Sequence, residues 1–369
     1  MGERYSVWDS PTGNAFRPPR FAPLPALHKF VLGPVLVLIR LPLLALVGTL
    51  YVVVRFVPSM LPNGCGPIGA LRRLSVRIVD AVFSRALLFL LGYVWINEAP
   101  ADLRKMGIGS ARTRRSAGKG GSVSSARGGD VLLCNQVSFV QVLYLASRCS
   151  PQFTTVPIDG KGKLRCVSLW AALRAACGAD TESVAEGAGL VLLEVLALEQ
   201  RALGGGAPIA VFPEGGSTNN TTMLQFEPVA GESGALAPAT AQRTHLVTFK
   251  FGGAYRAGKE KGRKARTAAN WAPVQPARPA LKVCMRIILQ SMHALEVRFL
   301  DAAVVPKVEE HAAGVEGIAP GALTLAGARE LMGSNGMLAH EALASWTARD
   351  YVMFENWTRG GTEVPSFSR

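Results

Sequence analysis

The sequence predicts an α/β fold: a mixed, mostly parallel sheet flanked by helices, preceded by an N-terminal hydrophobic helical hairpin. Three observations predict it. Short apolar strands alternate with helical stretches after residue 130, two of those strands run straight into polar turns, and a long apolar stretch stands near the N-terminus.

Residues 1–26 are polar and rich in proline (Pro11, Pro18, Pro19, Pro23, Pro25) and are expected to form an extended tail. No small-residue cleavage site follows the next apolar run promptly, so the tail is expected to stay on the mature protein. Residues 27–97 are assigned to a membrane-associated hairpin. Its first arm runs from Phe30 to Val57, with Arg40 between Pro34 and Pro42 and Arg55 near the end. About 20 residues cross a bilayer core, so the arm is long enough to span. A cation beside a proline near the midplane disfavours a straight crossing. The preferred expectation is a bent helix in one leaflet with Arg40 snorkelling to the headgroups; a true span and a buried soluble helix are the alternatives. The second arm, Ala86 to Ile96, is too short to span and is expected to run into the first strand. Arg55, Arg72, Arg73 and Arg77 are expected to hold the connection between the arms against anionic headgroups.

Residues 98–129 read as a basic Gly/Ser-rich linker, and residues 130–305 as the α/β domain. Its expected strands are Val131 to Cys134, Phe153 to Pro157, Pro208 to Phe212, His245 to Phe251, Lys282 to Leu289 and Ala294 to Leu300. Its expected helices are Ser138 to Ala146, Ser168 to Ala176 and Ala185 to Gln200. Residues 306–369 close the chain with helices at Thr324 to Met332 and Leu338 to Trp357. Ligands of such sheets bind at the carboxyl ends of the strands, which directs attention to Cys134-Asn135 and Phe212-Pro213.

Composition narrows the partners. The 369 residues include 40 Lys+Arg against 26 Asp+Glu, a net charge of +14, with only 18% charged and 49% hydrophobic residues. That apolar content excludes a disordered chain and leaves a surplus suited to a membrane. The crowded positive charge fits anionic phospholipid or nucleic acid. The basic stretches 108–130 and 258–266 lack the interleaved aromatics on which bases stack, so a lipid surface is preferred and no nucleic-acid partner is expected. The six cysteines form no CxxC spacing and the five histidines no HxxxH pair, so no metal site is expected and the thiols read as reduced, in a protein facing the cytosol. The sequence carries no signal of oligomeric state.

The two strand ends carry the chemistry. The segment IAVFPEGGSTNNTTMLQF, Ile209 to Phe226, resembles the FPEGT-type block of the glycerolipid acyltransferase superfamily, the lysophosphatidate acyltransferase-like enzymes. CNQVSFVQ, ending at Gln141, lies in the frame of that family's first block, Asn-His-x-Ser-x-x-Asp, but Gln136 stands for the histidine and Gln141 for the aspartate. The opening ERYSVWDSPTG, Glu3 to Gly13, is similar to that of the divergent fungal lysophosphatidate:oleoyl-CoA acyltransferase group.

This resemblance implies a membrane-bound protein that moves a fatty acyl group from acyl-CoA, a co-substrate and not a resident cofactor, to lysophosphatidate or another lysophospholipid. It implies an endoplasmic-reticulum or lipid-droplet membrane, with the α/β domain facing the cytosol. The family's His is the base on the attacking hydroxyl and its Asp fixes the tautomer. Gln136 and Gln141 occupy those positions, and neither does that work. Loss of general-base help costs roughly a factor of 10² to 10⁴, whereas positioning alone supplies roughly 7 to 11 kcal/mol, so a slow enzyme and a catalytically dead lipid-binding scaffold are both open.

Asn135 and Ser138 of the first block, and Phe212, Pro213, Glu214, Gly215, Gly216, Ser217 and Thr218 of the second, are the implied substrate-binding residues, Glu214 by a polar contact to the acceptor lipid. Ser217 stands where the family commonly has a phosphate-gripping arginine; a neutral nest of Ser217, Thr218, Asn219 and the Gly215 and Gly216 amides is the expected substitute. Lys161, Lys163 and Arg165 are candidates to supply the missing charge, or form a solvated basic loop. His311 with Glu316 imitates the dyad spacing in the wrong order, and His245 reads as a structural strand residue. The sequons at Asn219, Asn220 and Asn356 are read as unused in a cytosolic domain.

Overall fold

The computed structural model describes residues 26–60, 67–101, 122–156, 164–177, 206–218, 222–227, 229, 243–253, 280–300, 325–333, 342–343, 350 and 353. The tail, most of the linker, the expected helix from Ala185 to Gln200, His311 and all three sequon asparagines lie outside them.

A seven-stranded sheet forms the centre, in the order β1 (Ile96–Pro100), β8 (His293–Leu300), β7 (Thr244–Gly253), β2 (Val131–Cys134), β5 (Ile209–Val211), β3 (Gln152–Thr155) and β4 (Arg165–Val167). It is mixed and mostly parallel: only the β7–β8 and β3–β4 pairs are antiparallel. The central strands β2 and β5 are apolar and buried along their length, as a strand covered on both faces requires. β8 alternates instead, sending His293, Leu295, Val297 and Phe299 inward.

Helices flank the sheet: α1 (Gly33–Ser59), α2 (Pro67–Leu90), α3 (Phe139–Arg148), α4 (Leu169–Ala176), α5 (Ala280–Leu289) and α6 (Leu325–Gly333). A small parallel pair, β6 (Thr222–Met223) with β9 (Ala342–Leu343), stands apart from the main sheet.

Two expected elements are corrected. Lys282 to Leu289 is helical within α5, not a strand; Cys284, Ile287 and Ile288 recur at helical spacing on its inner side while Arg286 is exposed. Ala342–Leu343, expected within a helix, is extended because its backbone pairs with Thr222–Met223.

The hairpin is longer and more tightly held than its sequence suggests. α1 runs unbroken from Gly33 through Pro42 to Ser59, and α2 begins at Pro67, so Arg72, Arg73 and Arg77 lie on a helix and not in a connection. α1 packs on α2 and α5, and α2 packs on α3. Arg40 is not directed to headgroups: its guanidinium donates to the carbonyls of Ile288 (3.2 Å), Gln290 and Ser291 (2.7 Å), where α5 ends. Those carbonyls lack intrahelical partners, and the positive charge suits a helix C-terminus. Gly92, with φ of +93°, makes the adjacent turn; a Cβ there would meet the His293 ring at 3.0 Å.

Arg55 is likewise bound inside the protein. Buried Asp80 accepts from Tyr51 Oη (2.7 Å), Arg55 Nε (2.7 Å) and Ser150 Oγ (2.6 Å), joining both hairpin helices to the end of α3. Arg72 donates to the Pro58 carbonyl at 3.1 Å, and Arg85 to those of Tyr93 and Val94 at 3.0 and 2.7 Å. Sequence reasoning assigned Arg40, Arg55 and Arg72 to lipid because it had no view of the carbonyls and carboxylate that fold back on them.

Candidate functional site

β2 and β5 are parallel neighbours in register, Leu133 opposite Val211, so the segments that follow them emerge side by side at one end of the sheet. That register brings Asn135–Gln141 against Phe212–Thr218.

Glu214 joins the two segments. Its side chain is fully buried; Oε1 accepts the Gln136 N–H at 2.6 Å and Oε2 accepts the Leu224 N–H at 2.9 Å. The Thr218 N–H donates to the Gln136 carbonyl at 3.2 Å, closing a second link. Gly215 has φ of 61°, the left-handed turn that brings the chain back after Pro213 and Glu214, and its N–H donates to the Phe212 carbonyl at 3.3 Å. Burial pushes the Glu214 carboxyl up to about 8, against the pull of the two N–H donors and of Arg329.

Asn135 ties the first segment to β7. Its Oδ1 accepts the Phe249 N–H at 2.8 Å and its Nδ2 donates to the Phe249 carbonyl at 3.2 Å, so a side chain takes over the backbone pairing where β2 ends. Ser138 is the N-cap of α3. Its Oγ accepts the Val140 N–H at 3.2 Å, and Gln141 Oε1 accepts the N–H groups of Ser138 (3.2 Å) and Val137 (2.9 Å). Gln141 Nε2 donates to the Asn135 carbonyl at 2.7 Å. The Gln141 side chain is therefore engaged on both its oxygen and its nitrogen in shaping the turn, and makes no contact that orients Gln136. An amide suits this role because it accepts and donates at once, which a carboxylate does not.

Phe212, Pro213, Gly216, Ser217 and Thr218 are buried beside this junction. Ser217 is 1% exposed, and its Oγ has no hydrogen-bond partner among the described residues. Of the three candidate cations, Arg165 lies on the edge strand β4, two strands beyond β5, while Lys161 and Lys163 lie outside the described residues. His245 stands on β7 at the opposite end of the sheet, buried, with Nε2 3.3 Å from Asp130 Oδ2 and its ring stacked on Phe299. Among the described residues, no three His, Cys, Asp or Glu side chains come together to hold a metal.

The structure adds a residue that sequence reasoning missed. Arg329 of α6 donates from Nε to the Leu224 carbonyl at 2.8 Å and from its terminal nitrogen to the Met223 carbonyl at 3.2 Å. It thereby fixes the peptide whose N–H holds Glu214. It lies 105 residues beyond Leu224, with no motif around it to mark it.

The fold and site define an α/β protein with two polar segments joined at the carboxyl ends of adjacent central strands, where such sheets hold ligands. The chain is similar in structure to the 1-acyl-sn-glycerophosphate (LPA) acyltransferase PlsC from Thermotoga maritima, at 12% identity and a TM-score of 0.34, covering 79% of this chain and 100% of that one. So loose a superposition carries no functional argument by itself. No protein-family model matches the sequence, and no curated protein matches it.

Proposed function

We propose that this chain is a membrane-bound acyltransferase-like protein that binds acyl-CoA and lysophosphatidate or another lysophospholipid, serves phospholipid biosynthesis or remodelling, and transfers the acyl group slowly. The observation that carries this reading is the Glu214 carboxyl group, whose two oxygens accept the Gln136 and Leu224 N–H groups and unite the two acyltransferase-like segments in one site. In the reaction, the lysolipid hydroxyl oxygen bonds to the thioester carbonyl carbon, the carbon–sulfur bond breaks, coenzyme A leaves with the sulfur, and the hydroxyl proton passes to water or to the departing thiolate. Gln136 offers no base for that proton, so the rate rests on positioning.

The apolar exterior of the hairpin supports the membrane reading. Phe30–Pro58 is long and apolar enough to cross a bilayer. Leu38, Leu46 and Phe56 of α1 and Leu71, Val82 and Phe89 of α2 are among its exposed residues, far more apolar surface than water favours. Arg40 holds α1 directly to the end of α5, and Arg55, about 22 Å further along the helix, is joined to the domain through Asp80 of α2 and Ser150. That attachment favours a hairpin lying in one leaflet. The cytosolic orientation of the α/β domain and an endoplasmic-reticulum or lipid-droplet membrane are proposed on the resemblance of the sequence segments.

A second reading, a non-catalytic lipid-binding scaffold, draws on Gln141, whose side chain is wholly engaged in the α3 cap. The test is acyl transfer by purified protein in detergent, with labelled acyl-CoA and a panel of lysophospholipids, beside Glu214→Ala and the double variant Gln136→His, Gln141→Asp. Transfer above background that Glu214→Ala abolishes supports the slow enzyme. Absence of transfer with retained lipid binding supports the scaffold.

A further inference from the structure

The outer surface of the hairpin is not uniformly convex. Between α1 and α2 lies an open furrow of about 690 Å³, lined by Leu43 and Val47 of α1 and by Ala81, Arg85, Ala86 and Phe89 of α2. Its volume is that of a small-molecule site, and its lining is almost wholly apolar. Ala81 and Ala86 are the smallest side chains in this lining.

Arg85 is the charged residue of this lining. Two of the five guanidinium N–H donors go to the Tyr93 and Val94 carbonyls, which fixes the group where α2 leaves the hairpin. Trp95, the next residue, is 79% exposed. An exposed tryptophan next to the carbonyls that hold an arginine marks the depth of lipid headgroups, which puts the Arg85 guanidinium at that level.

From these observations we propose that the furrow is a binding site for one bilayer phospholipid, its acyl chain laid between α1 and α2 and its phosphate on the Arg85 guanidinium. The occupant follows from the surroundings: the furrow is continuous with the exposed apolar exterior, and Arg85, the charged residue in its lining, matches a phosphodiester anion. The inference rests on the membrane reading above but not on acyl transfer. It goes beyond general insertion because it requires a seated lipid at one location.

The experiment uses the whole 369-residue chain with phosphatidylglycerol vesicles containing a phosphatidylglycerol whose acyl chain carries a diazirine. Flotation reports membrane binding, and photolabelling mapped to peptides reports the seated lipid. Wild type is expected to float and to take label on α2 around Ala86. Ala86→Trp, and separately Ala81→Leu, fill the furrow and add apolar surface, so both are expected to float as wild type with labelling at α2 reduced severalfold; a thermal melt confirms that each is folded. Arg85→Gln is expected to reduce labelling without loss of flotation. Flotation with undiminished label in both filled variants overturns the site. Failure of wild type to float overturns the membrane reading itself, which is a different result.

Discussion

The backbone N–H of Gln136 lies 2.6 Å from Glu214 Oε1, a contact between residues 78 positions apart. With Leu224 on the other carboxylate oxygen, Glu214 is the junction of the site, and it acts on backbone amides of the protein. The resemblance assigned Glu214 to the acceptor lipid; the observed partners give it a positioning role.

Glu214→Ala leaves both amides without a buried acceptor. Each orphaned donor costs roughly 1 to 3 kcal/mol. A marked drop in melting temperature is expected in detergent, with Glu214→Gln losing less because its amide oxygen still serves one donor.

Glu214 also sets a pH dependence. Its carboxyl rises from an ordinary 4.5 to about 8 on folding because burial disfavours the charge. Between those values the folded chain binds more protons than the unfolded one, so this group's contribution to stability falls as pH rises from 4.5 to 8 and is level outside that window. Melting temperature followed across this range is expected to decline more steeply for wild type than for Glu214→Gln. Arg329→Gln removes the cation that opposes the shift, moving the upper limit of the window to higher pH.

Gln141→Asp tests the cap. The shorter carboxylate cannot donate to the Asn135 carbonyl, and the reciprocal cap of α3 is weakened. A loss of about 1 kcal/mol in denaturant-induced unfolding is expected, in line with cap removal. The Gln136→His, Gln141→Asp chain should therefore be less stable than Gln136→His alone.

Arg40→Leu is expected to keep vesicle flotation, since it adds apolar surface, while hydrogen exchange increases across residues 287–293, where the Ile288, Gln290 and Ser291 carbonyls lose their donor. Loss of flotation would return Arg40 to the headgroups.

Asp80→Ala leaves the part-buried Arg55 and the buried Tyr51 hydroxyl without their carboxylate and is expected to destabilise by roughly 3 kcal/mol. Asp80→Asn, which keeps an oxygen acceptor, should lose less; thermal melts compare the two.

The sequence by itself determined the α/β class and the strands at 131–134 and 209–211, because a short apolar run ending in a polar turn has few other uses. It also located the two segments that meet at the site, since local motifs survive in one dimension. It misread residues 282–289, where β-branched and aliphatic residues suit a strand as well as a helix and only packing against α1 decides. Tertiary structure alone decided the partners of the charged and polar side chains: Arg40 on the end of α5, Arg55 on Asp80, Gln141 on its own turn and Arg329 on Leu224. The physical reason is that apolar burial follows a periodic pattern along the chain, whereas a hydrogen-bonding group takes whichever partner the fold brings within about 3 Å.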